Sequence, residues 1–306
     1  PYIARQQDFD RYEGRVAPPD HSEPLNDQTH PFIREWRSST GIEVVGGAEQ
    51  DRARTAYWGL VTRVDELIGQ ILEALTANGL SDRCLIVYTS DHGDMLGEHG
   101  LWWKHVFYEE AIRVPLIISW PGVVSSGHRC GNVVSSLDVS ATLVHALRGA
   151  ALPNSPGRSL LPLIQQEEDV GSDSFDPSTP WVDEAFAEYC SDRYVPSVPV
   201  FQRMLRSGHW KLVYYHGERS QLFNLEEDPK ELHDRVDDPS CAEILTSMMQ
   251  RLMEDWDPDA ISRQLKTKNL ENQLVQQWAE ETKPPDLFRW PLHPSMARIE
   301  KRTIGE

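Results

Sequence analysis

The spacing of hydrophobic positions changes along this chain, and each change predicts a different kind of element. From Tyr57 onward apolar residues recur at helical intervals (Tyr57, Leu60, Val61, Val64, Leu67, Ile68, Ile71, Leu72, Leu75), with Asp51 placed to cap the helix and Asn78-Gly79 to stop it. Cys84–Thr89 is instead a continuous apolar, β-branched run too short for a helix. Such a run predicts a strand buried on both faces of a parallel sheet. Val114–Ser119 predicts a second strand, with Pro115 tolerable near its start or edge. Ser136-Leu137-Asp138-Val139 opens another helix, which Gly149 ends. Past Trp181 the pattern shortens. Val200–Arg206, His209–His216 and Gln221–Leu225, separated by Ser207-Gly208 and Gly217–Ser220, predict an antiparallel meander. Pro239 and the apolar positions Ile244, Leu245, Met248, Leu252 and Met253 mark a helix able to cover one face of it.

The stretches between these elements are polar. Residues 1–50 are rich in proline and charge with little periodicity, and read as a surface excursion of the kind that edges a substrate cleft. Residues 165–180 carry five acids and no base, as a solvated boundary would. Residues 261–306 read as an extended tail, with Lys283-Pro284-Pro285 and Trp290-Pro291 near its end. Such a tail either wraps a neighbouring subunit, giving a homo-oligomer, or folds back on its own. The expected fold is α/β. A mostly parallel central sheet flanked by helices is expected over residues 1–165, and a smaller antiparallel sheet-plus-helix subdomain over 178–260, followed by the tail.

Charge narrows the partners. The 306 residues hold 48 Asp+Glu against 30 Lys+Arg, a net charge of −18. That balance argues against nucleic acid or an anionic membrane as partner, and an anionic substrate would need a locally basic pocket. No apolar span reaches the length of a membrane helix. The four cysteines (Cys84, Cys130, Cys190, Cys241) are widely spaced without a CxxC pair, which suits buried free thiols better than a disulfide framework and leaves the compartment open. The chain begins at Pro1 without an initiator methionine, so it reads as the later part of a longer protein.

The chemistry gathers in Ser90–Lys104. Asp91 and His92 directly follow the first predicted strand, and ligands of open α/β sheets bind beyond the carboxyl ends of strands. A carboxylate and a neutral imidazole are both common ligands of divalent cations, although two adjacent ligands cannot close a coordination shell. Gly93 lets the chain turn sharply. Lys104 follows a loop holding Gly93, Gly97 and Gly100, and its ammonium suits a phosphate or sulfate oxygen. The plainer alternative makes Asp91 a turn cap, His92 a polar loop residue and Lys104 a solvated surface charge.

The length of the pattern decides between them. Residues 90–122, SDHGDMLGEHGLWWKHVFYEEAIRVPLIISWPG, resemble the type I sulfatases of the alkaline phosphatase superfamily, choline sulfatase-like members in particular. Pro1-Tyr2-Ile3-Ala4-Arg5, Gly157-Arg158-Ser159-Leu160 and Leu222–Pro229 resemble further landmarks of that family. The resemblance implies hydrolysis of a small-molecule or saccharide sulfate ester by a formylglycine made from a cysteine. It assigns Asp91 and His92 to the metal and Lys104 to the sulfate. It sets Arg113 beside the active site, with an internal Glu–Arg pair holding its loop as the plainer alternative. It sets Trp103 at the pocket wall or in aromatic packing, and Glu188, an acid among aromatics, where a quaternary ammonium would suit it. His105 and Trp102 either wall the pocket or pack in the core, and His99 either backs the metal site or holds its loop. The family's maturation motif, Cys-x-Pro/Ala-x-Arg, starts at none of the four cysteines, so the nucleophile is expected from an upstream segment. Many members carry Asn where this chain has His92. Calcium is the family expectation, with manganese or magnesium as alternatives, because imidazole admits softer ions. Two rival readings stay open: a phosphonate or phosphate ester hydrolase of the same superfamily, and a catalytically silent metal-binding homologue.

Overall fold

A computed structural model of the chain describes residues 2–22, 26, 29–42, 45–164, 180–191 and 200–283. The acidic stretch 165–179 and the proline-rich segment from Pro284 onward lie outside them. The chain divides into two units, Pro1–Pro258 and Asp259–Glu306.

The region before residue 50 holds more regular structure than its composition suggested. Helix α1 spans Gln6–Asp10 and α2 spans Pro31–Thr40. In α2 the start and stop are local chemistry. His30 Nδ1 accepts from Phe32 N at 3.2 Å, Pro31 occupies the first turn, and Gly41 closes the helix in the left-handed region at φ 68°. Its Ile33 and Trp36 are buried. Its apolar positions, Phe32, Ile33 and Trp36, all fall in the first six residues of the helix, which is why the polar composition of the region hid it.

Helix α3, Gly47–Ala77, begins four residues before the expected Asp51 cap, with Gly46 as its N-cap. It is buried not along its large apolar positions but along Thr55, Ala56 and Gly59. At Gly59 an added Cβ would lie 3.1 Å from the Asp8 backbone, so small residues let α1 approach. Arg5 ties the pair, donating to Asp8 and to Glu66. Trp58, Val61, Val64, Ile71 and Leu72 remain exposed.

Strand β1 is Ile86–Thr89; after the site loop come helix α4, Glu109–Ile112, and strand β2, Leu116–Ser119. The two strands pair antiparallel, with Thr89 opposite Leu116. Among the described residues there is no parallel pair, and β1 is partly exposed rather than buried on both faces. An apolar run carries no information about strand direction. The chain returns through α4 so that β2 starts beside the end of β1, and the pair therefore runs antiparallel.

Helix α5, Ser136–Ala146, carries a capping box in which Ser135 and Asp138 satisfy each other's backbone groups. Its flank receives Gly157–Leu160: Arg158 N donates to Asp138 Oδ1 and Leu160 N to Thr142 Oγ1, both at 2.8 Å. A Cβ on Gly157 would fall 2.3 Å from Leu137 O, so this landmark glycine permits a close backbone approach. A short helix, α6, follows at Leu161–Ile164.

The expected meander is present and has one more strand. Strands β3 (Glu184–Ser191), β4 (Val200–Ser207), β5 (Trp210–Tyr215) and β6 (Gln221–Asn224) form one antiparallel sheet in sequence order. Helix α7, Ala242–Met253, buries Met248 and Leu252 against it. In the second unit, α8 spans Pro258–Thr282, where an extended tail was expected. No proline or glycine interrupts residues 259–283, and Gln, Glu, Lys and Leu dominate them, so the interval favours helix. Among the described residues no helix is long and apolar enough to cross a membrane. All four cysteines are free; Cys241 is buried but Cys130 is exposed, against the expectation of buried thiols throughout.

Candidate active site

The turn that ends β1 is fixed by its own short side chains. Asp91 Oδ1 accepts from His92 N at 2.9 Å, and Ser90 Oγ donates to His92 O at 2.9 Å. Gly93 N donates to Ala111 O at 2.7 Å, and an added Cβ there would stand 2.0 Å from Glu110 O. Gly93 is therefore required for contact with α4, not for an unusual φ. Slight desolvation would raise the Asp91 carboxyl, but the hydrogen bonds it accepts from His92 N and Ser90 Oγ outweigh it and hold the group below its ordinary range.

The loop then folds back on itself. Met95 N donates to Trp103 O at 2.9 Å and Gly97 N to Leu101 O at 2.7 Å. Met95 and Leu101 anchor it in a core with Ile33, Trp36, Val106, Tyr108, Ala111 and Phe223. Glu98 accepts from the backbone of Asp20 and His21, and Arg54 donates to Leu96 O. Helix α3 and residues 20–21 thus brace the loop from outside.

This folding returns Lys104 to the start of the motif. Its Nζ lies 2.6 Å from His92 Nε2, while His92 Nδ1 lies 2.8 Å from Gly93 O. An ammonium only donates and a carbonyl only accepts, so the ring proton sits on Nδ1 and Nε2 offers its lone pair. Asp91 Oδ2 is 3.4 Å from that same nitrogen. Two lone-pair atoms converge with a cation beside them, so the ammonium occupies ground that a metal ion would share. The donor pair fits part of a divalent-cation shell. Among the described residues no cluster of three or more His, Cys, Asp or Glu completes it.

Two family models match the chain: "Sulfatase" over residues 6–150, and "N-sulphoglucosamine sulphohydrolase, C-terminal" over residues 97–257. The chain belongs to the type I sulfatases. It is 34% identical over 272 residues to a choline-sulfatase of Rhizobium meliloti (strain 1021), covering 85% of this chain and 49% of that protein. To arylsulfatase K of Homo sapiens it is 33% identical over 183 residues, covering 58% and 32% respectively. Among solved structures, the phosphonate monoester hydrolase SpPMH from Silicibacter pomeroyi superposes with a TM-score of 0.65 at 26% identity, covering 79% of this chain and 50% of that one. The sulfatase chain thus spans about half the length of the choline-sulfatase and a third of the arylsulfatase K.

The remaining expected residues of this sulfatase chain divide. Trp103 is 42% exposed beside Lys104, at φ 65°. Trp102 is buried, its ring 5.7 Å from Tyr2, so it packs. The His105 ring packs at a tilt, 4.7 Å from Trp36 and 5.2 Å from Tyr189, and burial lowers its pKa. His99 stacks on Tyr108 at 4.0 Å, and burial pushes it down to about 4, as for a neutral loop anchor rather than a proton carrier. Arg113 is exposed just past α4 and makes no hydrogen bond or ion pair to Asp91, His92 or Lys104. Glu188 lies in mid-strand, where its carboxylate meets Arg203 Nε at 3.2 Å. Alternation along β3 turns Ala187 and Tyr189 toward Phe107 and its neighbours, and turns Glu188 the other way. Glu188 is therefore not gathered with the other three.

Two groups escaped the sequence reading. Asp94 accepts from Tyr2 Oη, Leu96 N and Trp103 N. Lys211, fully buried in β5, meets Glu109 Oε1 at 3.0 Å and pairs with Glu231. Asp94 was legible as part of the matched block, but no local signal marks Lys211 as buried. It lies in a strand whose consecutive positions Lys211, Leu212 and Val213 are all buried, whereas a lysine in a strand normally faces water.

Proposed function

We propose that the protein containing this chain hydrolyses sulfate esters of small molecules or saccharides with the help of a divalent metal. The observation that carries the reading is the convergence of Asp91 Oδ2, His92 Nε2 and Lys104 Nζ at the end of β1 in a sulfatase chain. Asp91 and His92 would hold the cation, which supplies Lewis-acid polarisation of a sulfate oxygen; calcium is the preferred ion, with manganese or magnesium as alternatives. A single Nε2 lone pair serves one partner at a time, so its use as a ligand frees Lys104 to donate to the sulfate. The α4 carbonyl on Gly93 N keeps His92 from swinging away, and the packed loop keeps Lys104 within reach. None of the four cysteines begins Cys-x-Pro/Ala-x-Arg, so a formylglycine nucleophile would come from elsewhere in the protein.

The likeness to SpPMH favours a second reading, a phosphonate monoester hydrolase. The full-length protein should turn over 4-nitrophenyl sulfate with higher kcat/KM than 4-nitrophenyl phenylphosphonate. The reverse ranking would assign it to phosphonate chemistry. Peptide mass spectrometry should also find a cysteine converted to formylglycine.

Substrate choice separates Glu188 from the site. Its carboxylate lies 3.2 Å from Arg203 Nε, a guanidinium it shares with Asp255, which sits at 2.6 Å. Glu188→Gln should therefore change turnover of choline sulfate and 4-nitrophenyl sulfate by the same factor, within about threefold, as expected of a partly exposed pair. A loss confined to choline sulfate would return Glu188 to the substrate.

A further inference from the structure

The loop between the metal-type ligands and Lys104 is under backbone tension. Leu96, His99 and Trp103 adopt φ of 46°, 53° and 65°, in the region that side chains other than glycine avoid. Each such residue is strained and persists only where its surroundings over-determine it. Three outliers within eight residues, ending directly before Lys104, need a restraint.

Asp94 supplies one. Its Oδ1 accepts from Leu96 N at 3.0 Å and from Trp103 N at 3.2 Å, so one oxygen grips the first and last of the strained residues. Its Oδ2 accepts from Tyr2 Oη at 2.8 Å. The Tyr2 ring is itself packed, 5.7 Å from Trp102 and 6.1 Å from Tyr57. Burial and the adjacent carboxylate raise the Tyr2 hydroxyl far above its usual range, so it remains a donor. The carboxylate thus closes the loop as a ring and pins the ring to an aromatic wall. The following residue, Lys104, is held 2.6 Å from His92 Nε2.

We propose that Asp94, oriented by Tyr2, is a positioning residue for Lys104: it clamps the strained Leu96–Trp103 loop so that the ammonium faces the substrate sulfate. The proposal rests on the sulfate-holding role of Lys104 stated above. It differs from a purely structural role because Asp94 should have no effect on turnover once Lys104 is gone.

A double-mutant cycle on the full-length protein with 4-nitrophenyl sulfate tests it. Lys104→Ala should lower kcat/KM by about 10²–10³, the usual consequence of losing one positioned donor to a developing anion. Asp94→Ala should lower it by roughly 10², while the double variant falls no further than Lys104→Ala within about threefold. Asp94→Asn keeps an oxygen for both N–H groups and should restore most of the activity, and Tyr2→Phe should show a smaller loss of the same kind. Losses that multiply in the double variant overturn the proposal. If the wild type turns over no sulfate ester, the proposed reaction fails, and the clamp is judged by hydrogen exchange. Asp94→Ala must then speed exchange of the Leu96 and Trp103 amides at least about tenfold while Val213 on β5 stays protected. Unchanged exchange at Trp103 overturns the clamp.

Discussion

Asp91→Ala is expected to yield a folded protein that no longer holds a divalent cation at this site and has lost nearly all sulfate ester turnover. Its side chain is 82% exposed, and its only strong local bond is from His92 N, so the substitution should cost the fold about 1 kcal/mol or less. Its effect on the site is of another order. Without the carboxylate, His92 alone faces the cation, and one imidazole does not retain a hard, oxygen-seeking ion. A bound metal contributes several kcal/mol to a transition state that gathers negative charge, and each 1.36 kcal/mol is tenfold in rate. The loss should therefore reach ~10³ or more in kcat. Elemental analysis and a melting curve on the same sample check it. Full metal occupancy in the folded variant would remove Asp91 from the metal site. Asp91→Asn, which keeps one oxygen, should fall between the two.

The convergence of Asp91, His92 and Lys104 was legible because they are neighbours in sequence inside a long specific block, and the loop only had to close on itself. Glu188 was not, because a residue's face in a strand depends on register. One step along β3 separates Tyr189, 5.2 Å from His105, from Glu188 on Arg203. Gly93 was recognised as necessary but for another reason: not a turn conformation, but the Glu110 carbonyl pressed against its α-carbon. The meander β4–β6 and helix α7 were readable from turn residues and apolar period, which are local signals. The pairing of β1 with β2 was not, since direction is set by the path of residues 90–115. Lys211 is the extreme case. Its partners Glu109 and Glu231 lie far away in sequence, and nothing near Lys211 announces them.

Breaking that buried group from one side should be strongly destabilising beneath the site. Lys211 is wholly inaccessible, Glu231 nearly so, and Glu109 half-buried. Glu231 sits at φ 56° and accepts from Glu109 N at 2.7 Å, the first residue of α4. Burial pushes the Glu231 carboxyl up to about 7, against the pull of the Lys211 ammonium. Lys211→Met removes the one cation from between two acids in a medium that cannot solvate them. Breaking such a pair from one side costs about 3–5 kcal/mol, which should lower the melting temperature by roughly 10 °C. The damage should also reach the chemistry. Helix α4 holds the Asp91–Gly93 turn through Ala111 O on Gly93 N, so activity should fall even at temperatures where the variant stays folded. Lys211→Met combined with Glu231→Leu should recover much of the lost stability, because an apolar replacement leaves fewer buried charges unpaired. A Lys211→Met variant that melts within about 2 °C of wild type would mean that water reaches Glu109 and Glu231 and that the ammonium was never needed.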